Sequence, residues 1–171
     1  MAKESMSQEL IKCPCCEKMV PANDVELTYR LPDDIACMDE EERASTCKYT
    51  NDYVVCDDEY FYLRCILPLP VHDTGREYCL GVWVQISPNS FNKVWELWDD
   101  EEQANEPPMR GLLANNVHLN TGAENAEVMI QLAGPTSRPV AIVKDEACSL
   151  YKEQQSGITI HRASEYSDLC R

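Results

Sequence analysis

Cys13-Pro14-Cys15-Cys16 places three cysteines within four residues, directly after a polar N-terminal stretch. Thiolates this close together serve two chemistries, metal binding and thiol–disulfide exchange. Cys13 and Cys16 have the two-residue spacing that lets both sulfurs reach one tetrahedral ion, with Zn–S bonds of ~2.3 Å. A closed structural zinc site needs four ligands, and the chain holds no second Cys-x-x-Cys. Cys15 points elsewhere if its neighbours share an ion. The remaining ligands must then come from distant residues: Cys148, Cys56 and Cys47 are the candidates, with His72, His118 and His161 behind them. The alternative is a tight loop of three reduced thiols.

Cys-Pro-x-Cys also occurs in glutaredoxin-like proteins, where it sits between a first strand and a long helix whose N-terminus lowers the thiol pKa. Here Pro21 follows Cys16 by five residues, and Glu17-Lys18-Met19-Val20 is too short for that helix. Redox catalysis is therefore disfavoured on fold grounds. Other catalytic signatures are missing too: there is no Gly-rich phosphate loop, no nucleophile elbow and no His-Glu-x-x-His. His72-Asp73 reads as turn chemistry, and His118 and His161 read as structural. No catalytic residue is assigned.

The 171 residues suit one domain with an ordinary core. The apolar runs are strand-sized, so no membrane span is expected. The first twelve residues lack the apolar stretch of a signal peptide, which places the protein in the cytoplasm. In that reducing compartment clustered cysteines bind metal or stay reduced, and the scattered remainder of the ten act as small core residues. The formal charge of −15 disfavours nucleic acid and anionic membranes and makes a basic protein or a cationic ligand the natural complement. Solubility alone is the competing reading of that charge. The acidic clusters Asp39 to Glu42, Asp57-Asp58-Glu59 and Asp99 to Glu102 lie at turns or element ends.

These residues must be held by elements whose patterns are readable. Strands are expected at Val25–Leu31, Tyr60–Leu67 (stopped by Pro68 and Pro70) and Glu77–Ser87, the last two joined by Asp73-Thr74-Gly75 as an antiparallel hairpin. Val82, Val84 and Ile86 share one face of their strand, with Trp83, Gln85 and Ser87 on the other. A short helix opens at Asp33 or Asp34 and runs to Arg43. Ser87 caps a helix with Pro88 at its first position, and Phe91, Val94, Trp95 and Trp98 form its apolar side. That stripe reads as core packing rather than as a partner anchor. Further strands are expected at Leu112–Leu119, Glu127–Leu132, Pro139–Val143 and Ile158–Ile160. Helices are expected from Cys148 to Gln155, ended by Gly157, and from Ser164. Strands dominate, so the fold class is α+β: a single domain over 12–171, mainly antiparallel sheet with a few helices packed on it. A flexible tail precedes it at 1–11, and a cysteine loop occupies 12–21.

The order of these motifs resembles a bacterial family catalogued as domain of unknown function 2199, from Cys13 to about Ile160. The resemblance rests on the N-terminal cysteine pair, Tyr60-Phe61-Tyr62-Leu63-Arg64, Leu67-Pro68-Leu69-Pro70-Val71 and Gly81-Val82-Trp83-Val84. It continues through Phe91, Glu96-Leu97-Trp98, Pro107-Pro108, Gly111-Leu112-Leu113, Arg138-Pro139 and Gln154-Gln155-Ser156-Gly157-Ile158. The resemblance implies no assigned activity. The family pattern starts Cys-x-x-Cys-Gly-x-x-His, matching Cys13 and Cys16, but its histidine falls on Val20 and a further cysteine on Val54. A family His-Pro-Leu falls on Cys148-Ser149-Leu150. Loss at Val20 and Val54 together is what the loss of a shared metal site would leave.

The expected function is a non-catalytic, acidic binding protein with a structural zinc site, neutralising a basic partner such as a toxin. The alternative is a metal- or thiol-dependent enzyme built on Cys13 and Cys16.

Overall fold

The computed structural model describes residues 10–12, 19–21 and 26–170. In chain order its elements are β1 (Leu10–Lys12), β2 (Met19–Pro21), α1 (Asp33–Ala36), α2 (Glu40–Thr46), β3 (Cys47–Tyr49), β4 (Tyr53–Cys56), β5 (Tyr60–Val71) and β6 (Arg76–Ile86). Then come α3 (Pro88–Glu96), β7 (Met109–Leu113), β8 (Glu127–Gln131), β9 (Val140–Val143), α4 (Ser149–Ser156) and α5 (Ile160–Asp168). Lys12 pairs with Met19 in the antiparallel β1–β2 ribbon. Residues 13–18 join its two strands, so Cys13 and Cys16 lie outside the described residues.

The other strands form one sheet in the order β3-β4-β5-β6-β7-β8-β9, with each neighbouring pair antiparallel. It closes into a barrel where β5 meets β9 in parallel at Ile66 and Val140. Alternation along the strands fills the interior: Leu63, Cys65, Leu67 and Leu69 from β5 meet Leu80, Val82 and Val84 from β6 and Val128, Ile130, Ala141 and Val143 from β8 and β9. Phe91 of α3, Leu150 of α4 and Tyr166 of α5 close this core. A second, smaller cluster forms on the opposite face of the sheet, where Trp83 and Tyr62 pack with Val54, Cys56, Cys47 and Ile35. The fold is thus the expected α+β domain with a mainly antiparallel sheet.

The β5–β6 hairpin turns at Asp73-Thr74-Gly75, with Asp73 and Gly75 at φ of 64° and 65°. The Ser87 Oγ accepts from the Ser90 N–H at 3.1 Å and starts α3, as its sequence dictates. Gly81 has a different role. A Cβ there would lie 2.7 Å from the Thr28 side chain, so only glycine lets the 26–31 segment cross β6.

Several expected elements differ. Pro68 and Pro70 do not stop β5, which runs on to Val71. Even-numbered residues of β5 turn their backbone groups away from β6: the Arg64 N–H goes to Asp52 O, the Ile66 N–H to Pro139 O, and Pro70 O accepts from Ile158 N–H. The N–H that each proline lacks belongs to that side and removes no bond of the β5–β6 ladder. The expected Asp33-to-Arg43 helix breaks into α1 and α2. Asp39 takes the Glu42 N–H at 2.7 Å and caps the second piece, while Arg43 donates to the Ile35 and Met38 carbonyls left at the break. In the described part of the expected Val25–Leu31 strand, residues 26–31, and at Ile158, the pairings are isolated bridges, Thr28 to Gly81 and Ile158 to Val71. A helix cap replaces the last expected strand: the Thr159 side chain takes the Arg162 N–H at 3.0 Å, so α5 starts at Ile160 rather than at Ser164. Trp95 is 56% exposed, because the core ends at Phe91 and Val94 on this short helix.

Candidate ligand-binding cleft

At the barrel seam neither β4 nor β9 covers the edge of β5 fully. β4 pairs with Tyr60 to Leu63, and the ladder between β9 and β5 is confined to Ile66 opposite Val140. Beside that seam the β8–β9 connection, residues 132–139, swings away from the strand. A cleft of about 770 Å³ opens between this loop, the Leu63–Ile66 edge and the end of α3. Its size falls in the range of small-molecule sites. Leu63, Val94, Trp98 and Leu132 give it an apolar floor, and Arg64, Arg138, Asp52, Thr136 and Ser137 supply polar groups.

Arg64 is the unusual member. Its guanidinium carbon lies 5.8 Å from the centroid of the Trp83 ring, and its Nη1 donates to Asn51 O at 3.1 Å. The buried Nε–H makes no hydrogen bond among the described residues. Burial first, and then the nearby Arg138 charge, lower the Arg64 pKa, while Asp52 opposes them. Arg138 reaches Asp52 at 3.7 Å, but both side chains are substantially exposed, so this pair is weak. Two guanidinium groups therefore share one cleft with the Asp52 carboxylate. Among the described residues, the lining carries no histidine, cysteine or lysine. Gln103, buried beside the cleft, spends its Nε2 on the Leu97 and Trp98 carbonyls and fixes the chain after α3.

The residues singled out from sequence fall elsewhere. Cys56 lies in the outer cluster with Trp83, whereas Cys148 lies in the barrel core at the start of α4. The structure does not bring these two together. Burial, followed by the Cys47 thiol beside it, pushes the Cys56 thiol up to about 11. Burial likewise raises Cys148. His72 sits exposed in the β5–β6 turn, His118 Nδ1 lies 3.0 Å from the Tyr29 hydroxyl, and His161 lies 3.4 Å from Glu165. Among the described residues no three His, Cys, Asp or Glu side chains gather as a metal site. Sequence reasoning missed the cleft because Arg64 and Arg138 lie far apart in the chain and carry no spacing signal. Both do lie in the segments Tyr60–Arg64 and Arg138-Pro139 that bear the family resemblance.

Fold and cleft together define a single-domain α+β barrel protein with an arginine-lined pocket at its seam. The chain belongs to the family described as an uncharacterized protein conserved in bacteria (DUF2199), whose model matches residues 12–158. No curated protein and no solved structure matches the chain. No helix among the described residues is long and apolar enough to cross a membrane.

Proposed function

We propose that this is a non-catalytic binding protein whose cleft takes a small anion, a carboxylate or phosphate group, between Arg64 and Arg138. The observation that carries this reading is the buried Arg64 Nε–H, which has no acceptor among the described residues while a second arginine stands nearby. A bound oxyanion offsets the repulsion between the two cations, and it supplies that acceptor once the Arg64 side chain shifts to expose the N–H. Thr136 and Ser137 offer hydroxyl donors from the overhanging loop. The apolar floor suits a ligand with a hydrocarbon body behind its charged end. The net charge of −15 opposes free anions at long range, so the contacts within the cleft must outweigh it.

The test is calorimetric titration with inorganic phosphate, succinate and a medium-chain fatty acid. Saturable binding of one of them is expected, weakened roughly ten- to hundredfold by Arg64→Gln or Arg138→Gln, as loss of a charged hydrogen bond predicts. Equal binding by wild type and both variants rejects the reading.

A second reading, capture of a basic protein, has its own support. Pairing of β3 with β4 sets the Asp39–Glu42 turn of α2 and the Asp57-Asp58-Glu59 turn at one end of the sheet, all seven side chains exposed. A pulldown from the native cell that returns no basic partner rejects it.

A further inference from the structure

We propose that Met38, Cys47 and Cys56 bind one monovalent copper ion through their three sulfur atoms. The sulfurs converge on a single point, the Thr46 hydroxyl. Its Oγ1 lies 3.5 Å from Cys47 Sγ, 3.9 Å from Cys56 Sγ and 3.9 Å from Met38 Sδ. The Cys47 and Met38 sulfurs are themselves 3.9 Å apart. Three sulfurs bonded to one ion in a plane at ~2.3 Å stand about 4 Å from one another, the separation that Cys47 and Met38 already have.

The backbone explains the convergence. Cys47 and Cys56 are register partners of β3 and β4. Ladder bonds run from Asp57 N–H to Thr46 O and from Thr50 N–H to Tyr53 O. By alternation the Cys47–Cys56 pair is a non-hydrogen-bonded one, where facing side chains approach most closely. Met38 arrives from the break between α1 and α2, where its carbonyl is held by Arg43 Nη2 at 3.0 Å. Two thiols and a thioether form a soft donor set, which selects monovalent copper over harder ions. A cross-strand disulfide would use the two cysteines and leave Met38 without a role, so the thioether decides between the two chemistries.

Asp57 Oδ2 lies 3.9 Å from Cys56 Sγ, and the acidic stretches Asp39–Glu42 and Asp57–Glu59 lie nearby, so they draw a cation towards the sulfurs even though the bound site, with two thiolates, carries a net charge of −1. Cys47 and Cys56 are 8% and 2% exposed, and Met38 is half-buried, so the set is shielded yet reachable from one edge. Uptake forms two copper–thiolate bonds and one copper–thioether bond. Two thiol protons leave to solvent, and no electron changes hands.

The experiment is anaerobic titration of the reduced full-length protein with Cu(I) against a competing Cu(I) chelator, followed by iodoacetamide labelling and peptide mass spectrometry. Stoichiometric Cu(I) is expected to protect Cys47 and Cys56 together, even if Cys13, Cys15 and Cys16 also take metal. A Cys47→Ser variant is expected to lose one equivalent of copper. Met38→Leu is expected to keep that equivalent but bind it at least about tenfold more weakly. Labelling of Cys47 and Cys56 at the same rate with and without Cu(I) overturns the proposal, as does a Cys47–Cys56 disulfide that, once reduced, still takes up no copper. Labelling uses the unaltered chain, so the result stands even if a variant fails to fold.

Discussion

Arg64 and Trp83 face each other across the β5–β6 ladder, with the guanidinium carbon 5.8 Å from the centroid of the indole ring. Trp83 is fully buried and pinned at both ends, its N–H donating to Asn115 Oδ1 at 2.8 Å and its Nε1–H to Tyr29 O at 3.0 Å. The ring is therefore a fixed surface, and a cation resting on it gains ~0.5–2 kcal/mol. It also holds the arginine fork in one plane at the cleft. Arg64→Lys keeps the charge and loses the fork, so it is expected to weaken anion binding about tenfold while moving the urea midpoint little. Calorimetry and urea titration of the same sample check both halves.

Asn115 explains how the 26–33 segment is attached to the outer face of the barrel. Buried completely, it takes the Trp83 N–H and donates to Leu31 O and Asp33 Oδ1, both at 3.0 Å. Asn115→Ala leaves a buried N–H and a carbonyl without partners, at a cost of roughly 1–3 kcal/mol each if water does not replace them. Urea denaturation is expected to show a loss of at least ~2 kcal/mol.

Much of the barrel could be read in the sequence because local rules and tertiary need agree there. Val82, Val84 and Ile86 alternate as one face of a strand must, and Ser87-Pro88 signals a helix start wherever it occurs. Pro68 and Pro70 misled because a proline's effect depends on which neighbour its missing N–H would face, which only the assembled sheet decides. β3 and β4 escaped notice because each is only three or four residues long. The cleft and the sulfur cluster were illegible for a related reason. Arg64 with Arg138, and Met38 with Cys56, meet through strand pairing and chain reversal, which leave no fixed interval in the chain.

The thiols differ enough to be separated by reactivity. Cys37 and Cys170 are exposed, while Cys65 lies wholly inside the barrel and burial pushes its thiol pKa up. Thiolate is the reactive form, so exposure and pKa act in the same direction. At neutral pH Cys37 and Cys170 are expected to alkylate within the first phase, and Cys65 only after denaturant is added. Time-resolved peptide mass spectrometry reads the order, and early labelling of Cys65 in the native protein contradicts this barrel.

The zinc expectation has a sharp form now that Cys56 and Cys148 are placed on opposite sides of the sheet. A structural zinc on Cys13 and Cys16 gives one equivalent of metal in the purified protein, lost in Cys13→Ser and in Cys16→Ser. Its removal by a chelator should lower the melting temperature, because metal binding energy is folding energy. Only one of Cys56→Ser and Cys148→Ser can reduce the zinc content. A melting curve unchanged by chelation excludes the structural role.

Alkaline pH tests the outer cluster. Burial first, then the charges of Asp34 and neighbouring thiols, push the Tyr62 phenol up to about 12 from an ordinary 10. The folded protein then holds a proton that the unfolded chain releases, so the stabilisation is complete below pH 10 and is lost as pH rises towards 12. Tyr62→Phe removes this titration and should flatten that part of the stability curve without abolishing the fold, since the ring still packs on Trp83. Urea midpoints measured at steps across the interval, with phenolate absorbance followed in parallel, check the sign. Stability that rises between those pH values, or a Tyr62 that ionises with the exposed tyrosines, is incompatible with a buried Tyr62.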